Sequence, residues 1–594
     1  MQDTLDILTH LDKAGWFGLG SCQQHVDAAL SAMGEAEVGR RIWARDGSLW
    51  SSDPAQCAEI ENRLGWLELP TAMRVDVPRL EALSVEADAA GIGRAVLLGM
   101  GGSSLAAETM ARMLGVSPHH LPLTVLDSTD PAQVRRVAED GPLARTLFMV
   151  SSKSGTTAEV DALFRYFSGR TVEEMGAAQP DNPVAPAPGR RRPGDWRQHF
   201  VAITDPGTPL EKLARAEGFR AVYLNPSDIG GRFSALSLFG LVPAALIGAD
   251  LDRLLERART MAWDCRSTVP VIENPGIRLG AAMGECARHG RDRLTLLTSP
   301  EVAAFGPWVE QLLAESTGKS GVGILPVEGE PLLDPSAYHD DRLFVYLRLS
   351  GADNDALDNH CAALAAAGHP VVALPLDDIY DLGAEFYRWE FATAIAGQRL
   401  GINPFDQPNV EAAKKRATEA LERYARERSL PEEPPVLEDG TLKLYGPPLD
   451  ADSAPAYLRA FLRQADNHDY AAIMAYIDRN SHYQDLLQGV RRTIGARLAI
   501  ASTVGFGPRY LHSTGQLHKG GPNTGIFLLI THSDADDLAV PGAGYTFGVL
   551  KSAQALGDLA ALRDAGRRVV RVHLEGDVAT SLGDLDQAVQ AALV

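Results

Sequence analysis

The chain has 594 residues, too long for one core and suited to about three or four domains. Apolar residues make up 45% and charged residues 22%, the balance of an ordinary globular protein. The formal net charge of -21 argues against nucleic acid or an anionic membrane surface as the main partner, because both demand a basic face.

Residues 1–75 read as a helical N-terminal segment, with Trp16, Trp43, Trp50 and Trp66 as packing anchors. A first α/β set spans 76–250. Its strands are Ala95–Leu98, Leu123–Asp127, Thr146–Val150 and Val201–Thr204, and a helix starts near Ser104. Continuous apolar runs alternating with helices indicate a parallel sheet covered on both faces. The proline-rich stretch 178–194, with Arg190, Arg191 and Arg192, reads as a surface insertion. A second α/β set spans 251–430, with strands at Leu294–Leu297, Phe344–Leu347 and Val371–Leu374 and an amphipathic helix over Leu382–Leu400. After the proline cluster at 431–435, a further α/β unit fills 431–594, with strands at Arg497–Ala501, Ile526–Ile530 and Val569–Val572.

The five cysteines, Cys22, Cys57, Cys265, Cys286 and Cys361, are scattered and form no CxxC pair. They imply a reducing compartment without a disulfide framework or structural zinc. The N-terminus lacks a basic start followed by an apolar run, and no apolar stretch is long enough to span a bilayer. A cytoplasmic location is the expectation.

Chemistry concentrates in a few loops. Gly99–Ser104 follows a strand and opens a helix, where free N–H groups and the helix dipole attract an anion. The same loop reads as a dinucleotide site with Asp127 as the ribose acid, or as a tight turn, though Ser104 stands where the third glycine of G-x-G-x-x-G belongs. Ser152-Lys153-Ser154-Gly155-Thr156-Thr157 places four hydroxyls at a strand-to-helix junction, more than the single one an N-cap needs. Ile229-Gly230-Gly231-Arg232 presents an arginine after a flexible pair, able to stabilise an oxyanion. Glu315 falls near the C-terminal end of a helix, an unfavourable place for an acid and a useful one for a general base. Asn403-Pro404-Phe405-Asp406-Gln407-Pro408 fixes a turn ahead of a helix that carries Lys414.

In this order, the glycine loop, Ser-Lys-Ser-Gly-Thr-Thr, Gly-Gly-Arg, Glu-Ser-Thr-Gly-Lys and Asn-Pro-Phe-Asp-Gln-Pro resemble phosphoglucose isomerase over roughly residues 90–420. Phe391-Ala392-Thr393-Ala394 and the distal segment Leu511–Asn523 look closer still to the isomerase half of bifunctional transaldolase/glucose-6-phosphate isomerase fusions, and no segment supplies a transaldolase barrel. The resemblance implies an α/β protein with two doubly wound parallel-sheet domains of the sugar-isomerase type, besides the helical N-terminal segment and the additional C-terminal α/β unit. It implies interconversion of glucose 6-phosphate and fructose 6-phosphate through a cis-enediolate, with no metal and no cofactor. Ser103, Ser152, Lys153, Ser154 and Thr157 would hold the phosphate with Gln407 nearby. Glu315 would be the base, Arg232 the enediolate stabiliser and Lys414 a neighbour of the ring oxygen. The family's ring-opening histidine is missing from its usual place, where only His360 and His369 occur. His518 is therefore assigned that role, with His512 second, so that the C-terminal unit completes the site. The resemblance also implies a homodimer, unless the C-terminal unit covers the usual interface. Alternatives kept open are another phosphorylated or sulfonated hexose, a non-catalytic sugar-phosphate sensor, and a nucleotide-dependent oxidoreductase.

Overall fold

A computed structural model describes residues 2–11, 13–177, 195–431 and 433–594, so the insertion expected at 178–194 lies outside the described residues apart from its flanks. The chain divides into two compact units. The smaller contains 65–256 together with 536–550, and the larger contains 1–64, 257–535 and 551–594.

The N-terminal segment is largely helical, as its composition implies, but it also supplies a strand, β1 (Trp16–Gly18). Three residues are too few to show a period, so β1 is legible only through its pairing. It runs antiparallel to the last strand of the second sheet, with Trp16 opposite Ala373. Trp66 and Trp50 are buried, and Trp50 Nε1 donates to Ala394 O at 2.8 Å.

The smaller unit is built on β2 (Arg94–Gly99), β3 (Leu123–Leu126), β4 (Thr146–Ser151), β5 (Phe200–Thr204) and β6 (Ala221–Leu224), in the order β3-β2-β4-β5-β6. Every pairing is parallel. Residues Ala95 to Leu98 are fully buried, which is why this strand reads as an unbroken apolar run.

The larger unit holds two sheets. The first comprises β7 (Arg293–Thr298), β8 (Leu325–Val327), β9 (Arg342–Leu349) and β10 (Val371–Leu376), ordered β1-β10-β9-β7-β8. The second comprises β11 (Leu437–Asp439), β12 (Leu442–Tyr445), β13 (Tyr470–Tyr476), β14 (Ala501–Phe506), β15 (Gly525–His532) and β16 (Arg568–Leu574), ordered β11-β12-β16-β15-β13-β14. In all three sheets the first four parallel strands lie in the same spatial order, second-first-third-fourth. The two sheets of the larger unit close the fourth strand with an antiparallel partner, β1 on β10 and β12 on β16. The C-terminal unit therefore repeats the winding of the other two.

One expectation for this last sheet needs correction, and one strand in it was not anticipated. Residues 497–498 finish the helix Ser481–Leu498 rather than starting a strand, and Ala499 (φ 56°) turns the chain into β14. The central strand β13, Tyr-Ala-Ala-Ile-Met-Ala-Tyr, carries three alanines and a methionine, which favour helix locally. Burial between two flanking strands overrides that preference.

The helix Leu382–Leu400 has the predicted limits but is not amphipathic: it is buried on nearly every side because other elements pack around it. It packs along the helix Pro275–Arg288 through Gly276, Gly280 and Gly284, spaced one turn apart. A Cβ at these positions would come within 2.7 Å of Phe391, 2.5 Å of Ile395 and 2.6 Å of Arg399. Small residues on one stripe let the two axes approach and hold the end of Leu382–Leu400 firmly where it feeds the turn at Asn403.

Candidate functional site

In a doubly wound sheet, ligands bind outside the carboxyl ends of the strands where the order reverses. In the smaller unit that point lies between β2 and β4, and the loops leaving those strands are Gly99–Ser104 and Ser151–Thr157. Ser151 Oγ donates to Ser103 O at 2.9 Å and ties the loops together. Ser152 Oγ and Thr157 Oγ1 are 2.9 Å apart, Gly155 N donates to Ser152 Oγ at 3.1 Å, and Thr156 N and Oγ1 donate to Ser154 Oγ at 3.3 and 3.0 Å. The helix Ala158–Ala177 starts directly after this cluster, so its N-terminal N–H groups belong to the same pocket of positive potential. Gly155 has φ 66°, and a Cβ there would lie 2.8 Å from Leu210 N.

Arg232 joins this cluster through backbone contact. A Cβ on Gly102 would fall 2.1 Å from Gly231 O, so the glycine loop and the Gly-Gly-Arg turn touch main chain to main chain. Ser234 Oγ adds a 3.3 Å bond to Gly102 O, and Arg232 is buried. Lys153 is placed differently from its expected phosphate role. Its Nζ lies 2.6 Å from Asp205 Oδ2, and that carboxylate is itself buried. Its charge is used to fasten the loop to the end of β5.

In the larger unit three segments converge. Glu315 lies in the last turn of the helix Gly306–Thr317, half-buried, and its Oε2 accepts from Gln311 Nε2 at 3.1 Å. Lys319 is buried, and its Nζ donates to Asn403 O (2.7 Å), Asp406 O (2.5 Å) and Asp406 Oδ1 (2.7 Å). One lysine thus fastens the Glu-Ser-Thr-Gly-Lys turn to the turn that presents exposed Gln407.

The third segment is 509–520, between β14 and β15. Gln311 Nε2 also donates to His512 O at 2.7 Å, and Ser513 Oγ donates to Glu310 Oε1 at 3.0 Å. Gln516 Nε2 donates to Gly318 O (2.9 Å) and Asn409 Oδ1 (2.8 Å), while its Oε1 accepts from Asn409 N (2.9 Å). A Cβ on Gly318 would lie 2.3 Å from Leu517 Cα, so no side chain fits there. The segment is anchored behind by a buried ion pair, Lys519 Nζ to Asp558 Oδ1 at 2.5 Å, and by Tyr510 Oη donating to Asp558 Oδ2 at 2.6 Å.

His518 does not face this cluster of catalytic candidates. It is fully buried, hydrogen-bonded through Nδ1 to Tyr470 Oη at 3.0 Å and boxed by Tyr470 and Phe527. Burial first, then the charges of Lys519 and Arg567, hold its pKa far below the ordinary value. It is a neutral packing histidine. His512, part-exposed, has its carbonyl bound by the glutamine that also binds Glu315. Lys414 is exposed on the helix Val410–Glu427 and pairs with Glu411 at 3.0 Å. Gln311, Gln516 and the fastening role of Lys319 were not assigned from sequence. Gln516 sits inside the distal motif that drew attention for its histidine.

The smaller unit carries hydroxyl-rich loops at the switch point of a doubly wound sheet, and the larger unit carries a half-buried carboxylate at a helix end; each is a feature of α/β enzymes. The family profile "Phosphoglucose isomerase" matches residues 85–322. A probable glucose-6-phosphate isomerase from Natronomonas pharaonis is 33% identical over 355 residues, covering 54% of this chain and 77% of that one. The chain belongs to the phosphoglucose isomerase family. A glucose-6-phosphate isomerase from Symbiobacterium thermophilum is 31% identical over 404 residues, 59% of this chain and 85% of its own. The crystal structure of a hypothetical protein from Thermus thermophilus superposes with a TM-score of 0.54 at 26% identity, covering 68% of this chain and all of that one. The profile match includes the loops 99–104 and 151–157, Arg232 and Glu315, and ends before Gln407 and the 509–520 segment.

Proposed function

We propose that the chain is an aldose–ketose isomerase that interconverts glucose 6-phosphate and fructose 6-phosphate. The observation that carries this reading is the fastening of the Glu315 turn to the Gln407 turn by buried Lys319, which puts a base and a substrate-positioning amide on one rigid frame. The hydroxyls of Ser103, Ser152, Ser154 and Thr157 and the N-terminus of Ala158–Ala177 take the phosphate. Lys153 contributes through its bond to Asp205 rather than by direct contact.

Ring opening moves a proton from the C1 hydroxyl to the ring oxygen. We assign the histidine of this step to His512, because His518 is enclosed and neutral. Lys414 keeps the ring-oxygen role on family resemblance alone. Glu315 then removes the C2 proton, the C2 electrons form the C1–C2 double bond, and the carbonyl becomes an enediolate oxygen. Arg232 stabilises that charge, and its position beside the phosphate loops supports the role. Glu315 returns the proton to C1 while the O2 proton passes to O1, so that C2 becomes the carbonyl and C1 carries the hydroxyl of the ketose.

The test is conversion of fructose 6-phosphate to glucose 6-phosphate by the purified chain with chelator present, coupled to a glucose-6-phosphate dehydrogenase. Turnover is expected. Sugar phosphate bound without turnover would refute the isomerase assignment.

A further inference from the structure

Away from the isomerase cluster, Cys22 and Cys286 face each other across the contact between two helices. Cys22 is the N-cap of the helix Gln23–Glu35, and Cys286 lies in the last turns of Pro275–Arg288. The two helices pack together, the short turn that ends at Cys22 also touches the Cys286 helix, and the two cysteine side chains lie within hydrogen-bonding reach. Both cysteines are free.

Cationic groups bracket the pair. Arg291 N donates to Cys286 O at 2.8 Å, and the Arg291 guanidinium reaches Ser21 Oγ, beside Cys22, at 3.4 Å. His25, one turn after Cys22, stacks on His289, three residues past Cys286, with ring centroids 3.6 Å apart. Glu285 is neutralised by Arg399 at 2.6 Å and Arg288 at 3.2 Å. The Cys286 hydrogen bond, and then Arg291 and His289, draw the Cys22 thiol below the ordinary thiol range against the cost of burial. Cys286 is pushed the other way by Cys22 and by burial. A thiolate at a helix N-terminus beside an arginine is the usual setting of a reactive cysteine, and intracellular disulfides are mostly redox-sensing. The other cysteines lack these features. Cys265 and Cys361 are held protonated by burial, and Cys57 donates to Ser51 O.

We propose that Cys22 and Cys286 form a peroxide-sensitive dithiol, with Cys22 as the attacking thiolate and Cys286 as the resolving thiol. Cys22 sulfur attacks one peroxide oxygen, the O–O bond breaks, and water leaves after protonation, giving a sulfenic acid. Cys286, losing its proton, attacks that sulfur, and the S–O bond breaks with loss of a second water. The two thiols are oxidised by two electrons and the peroxide is reduced. Ser21, next to Cys22 in the chain, is exposed.

The experiment exposes the full chain to hydrogen peroxide, alkylates remaining thiols in denaturant with N-ethylmaleimide, and maps unreduced peptides by mass spectrometry. A Cys22–Cys286 linked peptide that dithiothreitol abolishes is expected. Cys286→Ser should stop at a dimedone-reactive sulfenic acid on Cys22, and Cys22→Ser should leave Cys286 fully alkylated. The wild-type peptide map decides the matter even if a variant fails to fold. Both cysteines alkylated after peroxide, a link to a different cysteine, or linking only when peroxide is added in denaturant would each overturn the proposal.

Discussion

Gln516→Ala tests whether the C-terminal unit builds the active site. Gln516 is completely buried and makes three hydrogen bonds, two of them to Asn409 and one to Gly318 O. Each is worth about 1 kcal/mol net, so their loss costs about 3 kcal/mol, part of it from groups left unpaired. The perturbation is local to function as well as to stability. Gly318 is three residues from Glu315, and Asn409 is two from Gln407. Displacement of either turn by about 1 Å is expected to lower kcat on the order of 10²-fold. Gln516→Glu keeps the shape and removes the donors to Gly318 O and Asn409 Oδ1, so it should resemble Gln516→Ala. The assay is the coupled conversion of fructose 6-phosphate, alongside thermal unfolding of each variant. If both variants keep kcat and KM within about twofold of the parent, the 509–520 segment does not position the catalytic turns, and the reasoning fails.

Glu315→Gln should lower kcat by about 10²- to 10⁴-fold, the range for a lost general base, with inhibitory binding of a sugar-phosphate analogue retained; parental turnover would remove Glu315 from the mechanism. Glu310 is buried beside Glu328 and Ser513, with Arg509 and Arg491 nearby, and its carboxyl is pushed up to about 8, chiefly by burial. With a folded pKa above the unfolded one, its contribution is present below pH 4.5 and lost as pH rises to about 8. Glu310→Gln should therefore gain stability over the parent by a few kcal/mol at pH 8 and about none at pH 4, and a thermal-shift difference that is flat across that window would contradict it. Gly102→Ala forces a Cβ into Gly231 O and should cost about 1–3 kcal/mol of stability and most activity; unchanged phosphate binding in a crystal of the variant would show that the two loops are not coupled. His512→Asn should reduce turnover at unchanged melting temperature, whereas His518→Asn should lower the melting temperature first; the reverse pattern would return the ring-opening role to His518.

The α/β class was readable from sequence because buried parallel strands such as Ala95–Leu98 are continuous apolar runs bounded by glycine turns. The loops at 99–104 and 151–157 stood out because hydroxyls in excess of a cap are conspicuous by count. Glu315 was found through its neighbours in the motif, not through any property of an isolated glutamate. What stayed hidden is long-range pairing. Lys319 and Asp406 are 87 residues apart, and Gln516 and Gly318 are 198 apart, so neither bond leaves a local trace. The partners of Lys153 and His518 stayed hidden for the same reason. Both residue types suit a ligand, and only the fold reveals that Asp205 and Tyr470 occupy them. The central strand β13 was lost because its alanines speak for helix.

The clamp at 509–520 comes late in a chain of 594 residues, and so does the stretch 536–550 that packs with 65–256. There Phe547 meets Tyr166, and Asp536 O accepts from Arg135 at 2.7 Å. During synthesis, at about 5–20 residues per second, the glycine and hydroxyl loops emerge many seconds before these partners exist. A growing or prematurely terminated chain thus carries every residue of Glu-Ser-Thr-Gly-Lys and Asn-Pro-Phe-Asp-Gln-Pro without the pieces that set them in place. Chains cut before 509–520 are therefore expected to be silent rather than weakly active.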